Sequence, residues 1–261
     1  MIDAFIGIMF ITLALIAPAS EQATGTPSGA RTPVLVELFT SEGCSSCPPA
    51  DALLQKLDQQ PLTGADVIVL SEHVDYWNHL GWRDPYSAHL YTERQDDYSR
   101  RFGLASVYTP QMVVDGNAQC LGSDAHEVQN AIATAARGGK QPVRIPSAAF
   151  DGQGDVTLDV ETSPLAGSAH GAAADVYVAL ALNQADSRVT SGENAGRRLT
   201  HVAVVQSLVR IGAVARTQAF AKRVTVKLAH PSDSRDLRII AFVQETGTGR
   251  VLGAIERRVG K

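Results

Sequence analysis

The sequence predicts an α/β domain over residues 32–140 followed by an antiparallel β-sandwich domain over residues 141–261. Three observations carry that division. The apolar run Val34-Leu35-Val36-Glu37-Leu38-Phe39 is followed by Cys44-Ser45-Ser46-Cys47, and then by Ala50, Leu53, Leu54 and Leu57 at the i, i+3, i+4, i+7 spacing of an amphipathic helix. Strand-like and helix-like segments keep alternating as far as Arg137. Beyond Pro142 the character changes. Short β-branched runs at 156–160, 176–180, 202–205, 224–228 and 237–243 are separated by Gly, Asn, Asp, Ser and Pro, the pattern of a sandwich.

Each element has its own signal. Residues 34–39 are apolar enough for a buried strand. Pro48 and Pro49 are tolerated only in a first helical turn, so the helix after the cysteines begins near Ser46 or Cys47. Residues 66–74 read as the next strand, and Asp84-Pro85 opens a polar helical stretch toward Phe102. Gln111-Met112-Val113-Val114, Asp115-Gly116 and Gln119-Cys120-Leu121 form a hairpin. Ser123 or Asp124 caps a last helix through Ala136, and Gly138-Gly139 ends it.

With 261 residues the chain can bury a substantial core without covalent staples. Its formal charge of −4 and the lack of a basic stripe with interleaved aromatics argue against nucleic acid or an anionic membrane surface as a partner. Residues 4–16 are apolar but too short to span a bilayer comfortably, and Ala17-Pro18-Ala19 offers a small-x-small cleavage site. Residues 1–19 are therefore read as a signal peptide and 20–31 as a linker, which places the mature chain in the periplasm or outside the cell. Asp3, with no Lys or Arg beside it, is atypical of such a segment. An uncleaved segment would leave a membrane anchor.

Cys44 and Cys47 read as a dithiol/disulfide redox pair. Thiolate formation at a helix start is favoured by unsatisfied N–H groups and the helix dipole, and the prolines push the helix start back enough to weaken that effect on Cys44. Cys44 is expected to be the more exposed, attacking thiol and Cys47 the resolving one, acting on protein thiols or disulfides without a cofactor. Structural zinc needs four ligands, and the only other thiol is Cys120. Cys44, Cys47 and a histidine such as His73 could still hold copper or zinc, and the cysteines could instead staple a loop in a partner-binding module. Glu42 is expected in a solvated loop. Residues 73–91 hold Trp77 and Trp82, three tyrosines and three histidines, a density that suits a substrate platform and equally suits plain packing.

The order of elements over residues 34–137 resembles the thioredoxin fold. That resemblance implies a cis proline at Pro110, facing the cysteines, with the Thr109 backbone presented to a partner. It also implies that Glu37 is a buried acid and base serving Cys47, although Glu37 lies one residue off the usual spacing. Residues 39–51, His73-Val74-Asp75-Tyr76-Trp77, Leu80-Gly81-Trp82-Arg83-Asp84-Pro85 and Tyr108-Thr109-Pro110-Gln111-Met112-Val113-Val114 further resemble the secreted bacterial proteins grouped as domain-of-unknown-function family 1223. The likeness extends through residues 192–201, where Glu193, Arg197 or His201 would reach the first domain; Asn194 is otherwise read as stabilising a polar turn. The expected site is thus Cys44, Cys47, Pro110, Thr109 and Glu37, with Trp77, Trp82 and Tyr108 contacting substrate. The expected activity is exported thiol-disulfide exchange.

Overall fold

The computed structural model describes Met1 and residues 31–60, 62–151, 154–165, 167, 173–228 and 236–258. The expected signal peptide and linker lie outside the described residues, apart from Met1 and Arg31.

Strand β1 (Thr32–Thr40) is buried on both faces because successive side chains alternate across it. Val34, Val36 and Leu38 pack on Leu53, Leu54 and Leu57 of helix α1 (Pro48–Gln59), whereas Leu35 packs near Tyr91 and Phe39 near Tyr98 of α2 (His89–Phe102). Strand β2 (Ala65–His73) runs parallel to β1 from Thr32↔Ala65 to Thr40↔His73. The continuous apolar runs of both strands follow from cover on two sides. Helix α2 starts at His89, later than Asp84-Pro85 suggested, because the Ala88 N–H is given to the His73 carbonyl and Asp84 is a buried loop residue.

Strands β3 (Gln111–Val114) and β4 (Ala118–Leu121) form the expected hairpin, with β3 antiparallel to β1. Asp115 and Gly116 both take positive φ, 49° and 59°, as a tight two-residue hairpin turn requires. A Cβ on Gly116 would lie 1.9 Å from the Gly249 carbonyl oxygen, so only glycine fits there. Asp124 caps α3 (Ala125–Ala135), accepting from the N–H groups of His126 and Glu127.

The expected fold class, an α/β thioredoxin-like domain followed by a separate β-sandwich, is overturned. The chain is mostly β, with three α-helices among the described residues. The long strands of the second half, β8 (Ala173–Arg188) and β9 (Arg198–Ala215), continue the sheet of the first half. They are joined by β11 (Leu237–Glu245) and β12 (Val251–Arg258) in one mixed sheet of order β12-β11-β8-β9-β2-β1-β3-β4. The junction is a parallel pairing of β2 with β9 at Ser71↔Val204, beside Ala203 at φ 50°. Strands β5 (Val143–Arg144), β7 (Asp155–Thr162) and β10 (Phe220–Lys227) form a smaller sheet, with β6 (Ala148–Phe150) beside β7.

The five β-branched runs all fall in strands, and four of them pack face to face, but the larger sheet they join also has a second buried face. Val176, Val178, Leu180, Ile239, Ala241 and Val243 pack on the small sheet. Their alternating neighbours Ala179, Ala181, Ile240 and Phe242 share a core with Leu35, Ile68, Leu70 and Tyr91. Polar links cross the same boundary. The Tyr91 hydroxyl donates to the Val205 carbonyl at 2.8 Å, and the Arg238 guanidinium, 1% exposed, clamps both oxygens of Asp58 on α1 at 2.5 and 3.1 Å. Removing one partner of a buried pair leaves an uncompensated charge and costs about 3–5 kcal/mol. Arg258 Nη2 also stands 3.3 Å from Asp58 Oδ1 and keeps part of that charge paired, so Arg238→Ala is expected to destabilise the whole chain by about 3 kcal/mol, in one denaturant transition. Fluorescence of Trp77 and Trp82, both in the first half, should move with far-ultraviolet circular dichroism; a tryptophan transition left unchanged would mean that the halves unfold separately.

Candidate functional site

Cys44 and Cys47 form a disulfide with Cα atoms 5.4 Å apart, and Cys47 is the N-cap of α1. The helix start offers the sulfurs little. Its first two positions are Pro48 and Pro49, without N–H groups, and the N–H groups of Ala50 and Asp51 go to the Cys47 carbonyl. The donor on Cys44 Sγ is a side chain, the Thr109 hydroxyl at 3.4 Å, with Ser46 Oγ also at 3.4 Å. The Thr109–Pro110 bond is cis, and Pro110 Cβ and Ala50 Cβ both crowd Gly122 beside the start of α1.

Neither cysteine is exposed. Both are 0% accessible, whereas Cys44 was expected to be the open one. The cover has two parts. Trp77 packs over Gly43 and donates its indole N–H to the same Thr109 hydroxyl at 2.8 Å. From the second half of the chain, the loop joining β8 to β9 folds over the CxxC segment. Asn194 Nδ2 donates to the carbonyls of Glu42 and Cys44, both at 2.9 Å, and Glu193 Oε2 accepts from the Ser45 N–H at 3.2 Å. Ser191 Oγ donates to the Gly81 carbonyl at 2.6 Å. Gly192, at φ 73°, lets the loop pass Trp82, whose Cβ would lie 3.0 Å from any added Cβ.

Beneath this cover lies a buried group of acids and histidines. Glu42, expected in solvent, is 0% exposed; its Oε2 accepts from Trp82 Nε1 at 2.7 Å. Asp51 Oδ1 accepts from the Thr40 hydroxyl at 3.0 Å. His201 is wedged between the two acids, with Nδ1 3.5 Å from Asp51 Oδ1 and Nε2 3.7 Å from Glu42 Oε1. Its ring meets that of His73 edge-on, with centroids 4.7 Å apart. His73 Nδ1 is 2.7 Å from Asp84 Oδ2, which also accepts from the Glu42 N–H. Burial alone would lower the His73 pKa, but the charge and hydrogen bond of Asp84, with Asp51 and Glu42 beyond, raise it. Burial would raise Asp84, and His73 with the N–H groups of Glu42 and Tyr86 lowers it instead.

Glu37 is buried as expected but is not brought to the cysteines. Strand parity places it on the α2 face of β1, opposite α1. There Arg94 Nε donates to its Oε1 and the Tyr98 hydroxyl to its Oε2, both at 2.6 Å. Glu72 lies beside it, 3.5 Å from Arg94 Nε, and its pKa is raised well above normal by burial and by the Glu37 charge. Tyr108 gives its carbonyl to Gln95 Nε2 and its hydroxyl to Gln119. Trp77 and Trp82 brace residues 42–44. Cys120 is a buried free thiol whose pKa burial pushes up to about 11. It lines a cavity of about 640 Å³ between α3, β4 and the start of β12, which includes none of the CxxC segment.

Among the described residues, no group of three or more His, Cys, Asp and Glu side chains is arranged to hold a metal ion. Asp51 and Asp84 escaped the sequence reading because an acid near a helix start or before a proline reads as a cap or a turn.

Fold and site together define a two-sheet protein in which a CxxC disulfide at a helix start is covered by a loop from the other half of the chain. The chain belongs to the family described as protein of unknown function (DUF1223), matched over residues 35–244. It is similar to a crystal structure of a protein from Agrobacterium tumefaciens at 30% identity and a TM-score of 0.66, covering 89% of this chain and 96% of that one. HBP35 of Porphyromonas gingivalis shares the fold at 14% identity and a TM-score of 0.64, covering 88% of this chain and 76% of that one. No curated protein matches.

Two outcomes follow from this geometry. Asn194→Ala removes the two hydrogen bonds that tie the loop to the CxxC segment, worth about 1 kcal/mol each, so reduction of the disulfide by dithiothreitol should speed up about thirtyfold if the loop is the barrier; an unchanged rate would show that attack does not need the loop to open. The raised His73 contributes stability below its ordinary value of 6.5 that is lost as pH rises through its folded value. The lowered Asp84 contributes stability above 3.8 that is lost as pH falls through its folded value. The melting-temperature gap between wild type and Asp84→Asn should therefore be widest between about pH 4 and 6.5 and narrow on both sides. A gap that stays flat across pH would remove the charged pair.

Proposed function

We propose that this protein is an exported thiol-disulfide oxidoreductase in which Cys44 and Cys47 are the redox couple and the loop between β8 and β9 controls access to it. The observation that carries the reading is the Thr109 hydroxyl donating to Cys44 Sγ at the CxxC pair. A donor aimed at a sulfur favours its thiolate, the attacking and leaving species in disulfide exchange. The size of the ring supports the same reading. A disulfide between residues three apart closes a loop worth only about 2 kcal/mol of chain entropy, against about 4.7 kcal/mol for a loop of about 100 residues. A chain with this much core gains little from such a staple. The apolar segment at residues 4–16 supports export, into compartments where disulfides persist. Among the described residues no helix is long and apolar enough to cross a membrane.

The test is the reduction potential, measured by equilibration with defined thiol/disulfide mixtures. A redox couple should lie above about −300 mV, whereas a value well below that marks a structural bond and sinks the reading. Cys47→Ser should in addition accumulate mixed disulfides through Cys44, and Cys44→Ser should accumulate none.

A further inference from the structure

We infer that His201, acting through Asp51, is the positioning group that supplies and removes the proton of Cys47 when the disulfide opens and closes. The inference rests on the oxidoreductase reading and assigns it a proton path on the α1 face, where Glu37 does not reach. His201 is fully buried, and among the described residues neither of its ring nitrogens has a hydrogen-bond partner. An unsatisfied buried polar group costs about 1–3 kcal/mol, so an imidazole held in that condition between two carboxylates calls for a use. Asp51, beside His201, stands on the helix that Cys47 opens. Asp51 stands four residues after Cys47 in a helix whose N-cap already has helical φ and ψ, and its N–H is bonded to the Cys47 carbonyl. Side chains at that spacing share one helix face, about 5–6 Å apart at Cβ.

The step balances as follows. A reductant thiolate attacks Cys44 Sγ, forming a mixed disulfide. The Cys44–Cys47 bond breaks with its electron pair on Cys47, and the proton held in the Asp51–His201 pair passes to that thiolate. A second reductant thiolate attacks the reductant's sulfur in the mixed disulfide, releasing the reductant disulfide and Cys44 as thiolate. Two electrons have passed from two thiols to the protein pair. In the reverse direction the Cys47 thiol returns its proton to the pair before attacking the mixed disulfide. The charged and titratable groups that bear on His201 are Asp51 from α1, Glu42 from the loop before it, His73 from β2 with Asp84 behind it, and Asp186 from β8.

The experiment follows the reverse step. Reduced full-length protein is mixed with oxidised glutathione, and release of glutathione from the Cys44 mixed disulfide is timed between pH 5 and 8. In wild type the release should persist at low pH. In His201→Gln it should slow about tenfold near pH 6 and recover about one pH unit higher, since one unit is a factor of ten. Asp51→Asn should shift the profile in the same direction, and it serves if the first variant does not fold. A merely structural role would lower the melting temperature and leave the pH profile in place, and superimposable profiles overturn the inference while the oxidoreductase reading stands. A wild type that never exchanges with glutathione overturns the reading itself. Proton spectra of the wild-type rings at pH 6.5 add a readout that needs no variant. The His201 and His73 signals should differ between oxidised and reduced protein while exposed His126 stays fixed, and coincident His201 signals count against the inference.

Discussion

The parallel pairing of β2 with β9 is the constraint on which the rest depends. At Ser71↔Val204 it fuses the strands of the second half onto the sheet of the first. Because β8 and β9 are long, 16 and 18 residues, the ribbon runs on past the junction, and its connecting loop lands on the CxxC segment. One pairing thus joins the two halves and brings Asn194 and His201 to the cysteines. A parallel neighbour also needs both of its faces covered, which α1 and α2 provide on either side of β1 and β2.

Strand alternation then sorts the buried charges into two separate groups. On the α2 face, Glu37 and Glu72 share Arg94, with Tyr98 and Gln244 hydrogen-bonded around Glu37 and Arg94 and both Glu72 oxygens left without a hydrogen bond. Gln244 comes from β11, so this group ties α2 to the second half and reads as structural. On the opposite face, Asp84, His73, His201, Asp51 and Glu42 lie under the disulfide with several polar atoms unmatched. Both groups therefore hold buried polar atoms without hydrogen bonds, and in both the charge pairing must offset that cost.

Closure of the disulfide follows from the same architecture. A CxxC at a helix start usually owes its reactivity to exposed sulfur and free N–H groups. Here Pro48 and Pro49 remove donors, and the cover removes exposure. The donor beside Cys44 Sγ is the Thr109 hydroxyl, itself held by the Trp77 indole N–H, and the covering loop holds the backbone of residues 42–45. A disulfide that closes so short a loop contributes little to the stability of a chain of this size.

How much was legible in the chain depends on the range of the interaction. Local signals were sufficient for β1, for α1 with its Pro48 and Pro49 start, for the Asp115-Gly116 turn and for the Asp124 cap, because propensity, periodicity and capping act over a few residues. The same signals located five strands of the second half, β7 to β11, and missed β5, β6 and β12. They misplaced Glu42 and Cys44, since burial depends on residues about 150 positions away in sequence. The offset spacing of Glu37 was visible, yet only strand pairing showed that one position of parity turns it away from the cysteines toward Arg94. The sequence by itself determined most of the strands, helices and turns, and that two cysteines stand at a helix start. The tertiary structure alone decided that β8, β9, β11 and β12 extend the sheet of the first half while β7 and β10 form a second one, and that His201 lies between Asp51 and Glu42. Alternation tells a strand which of its faces is buried, but it carries no record of which distant strand lies alongside.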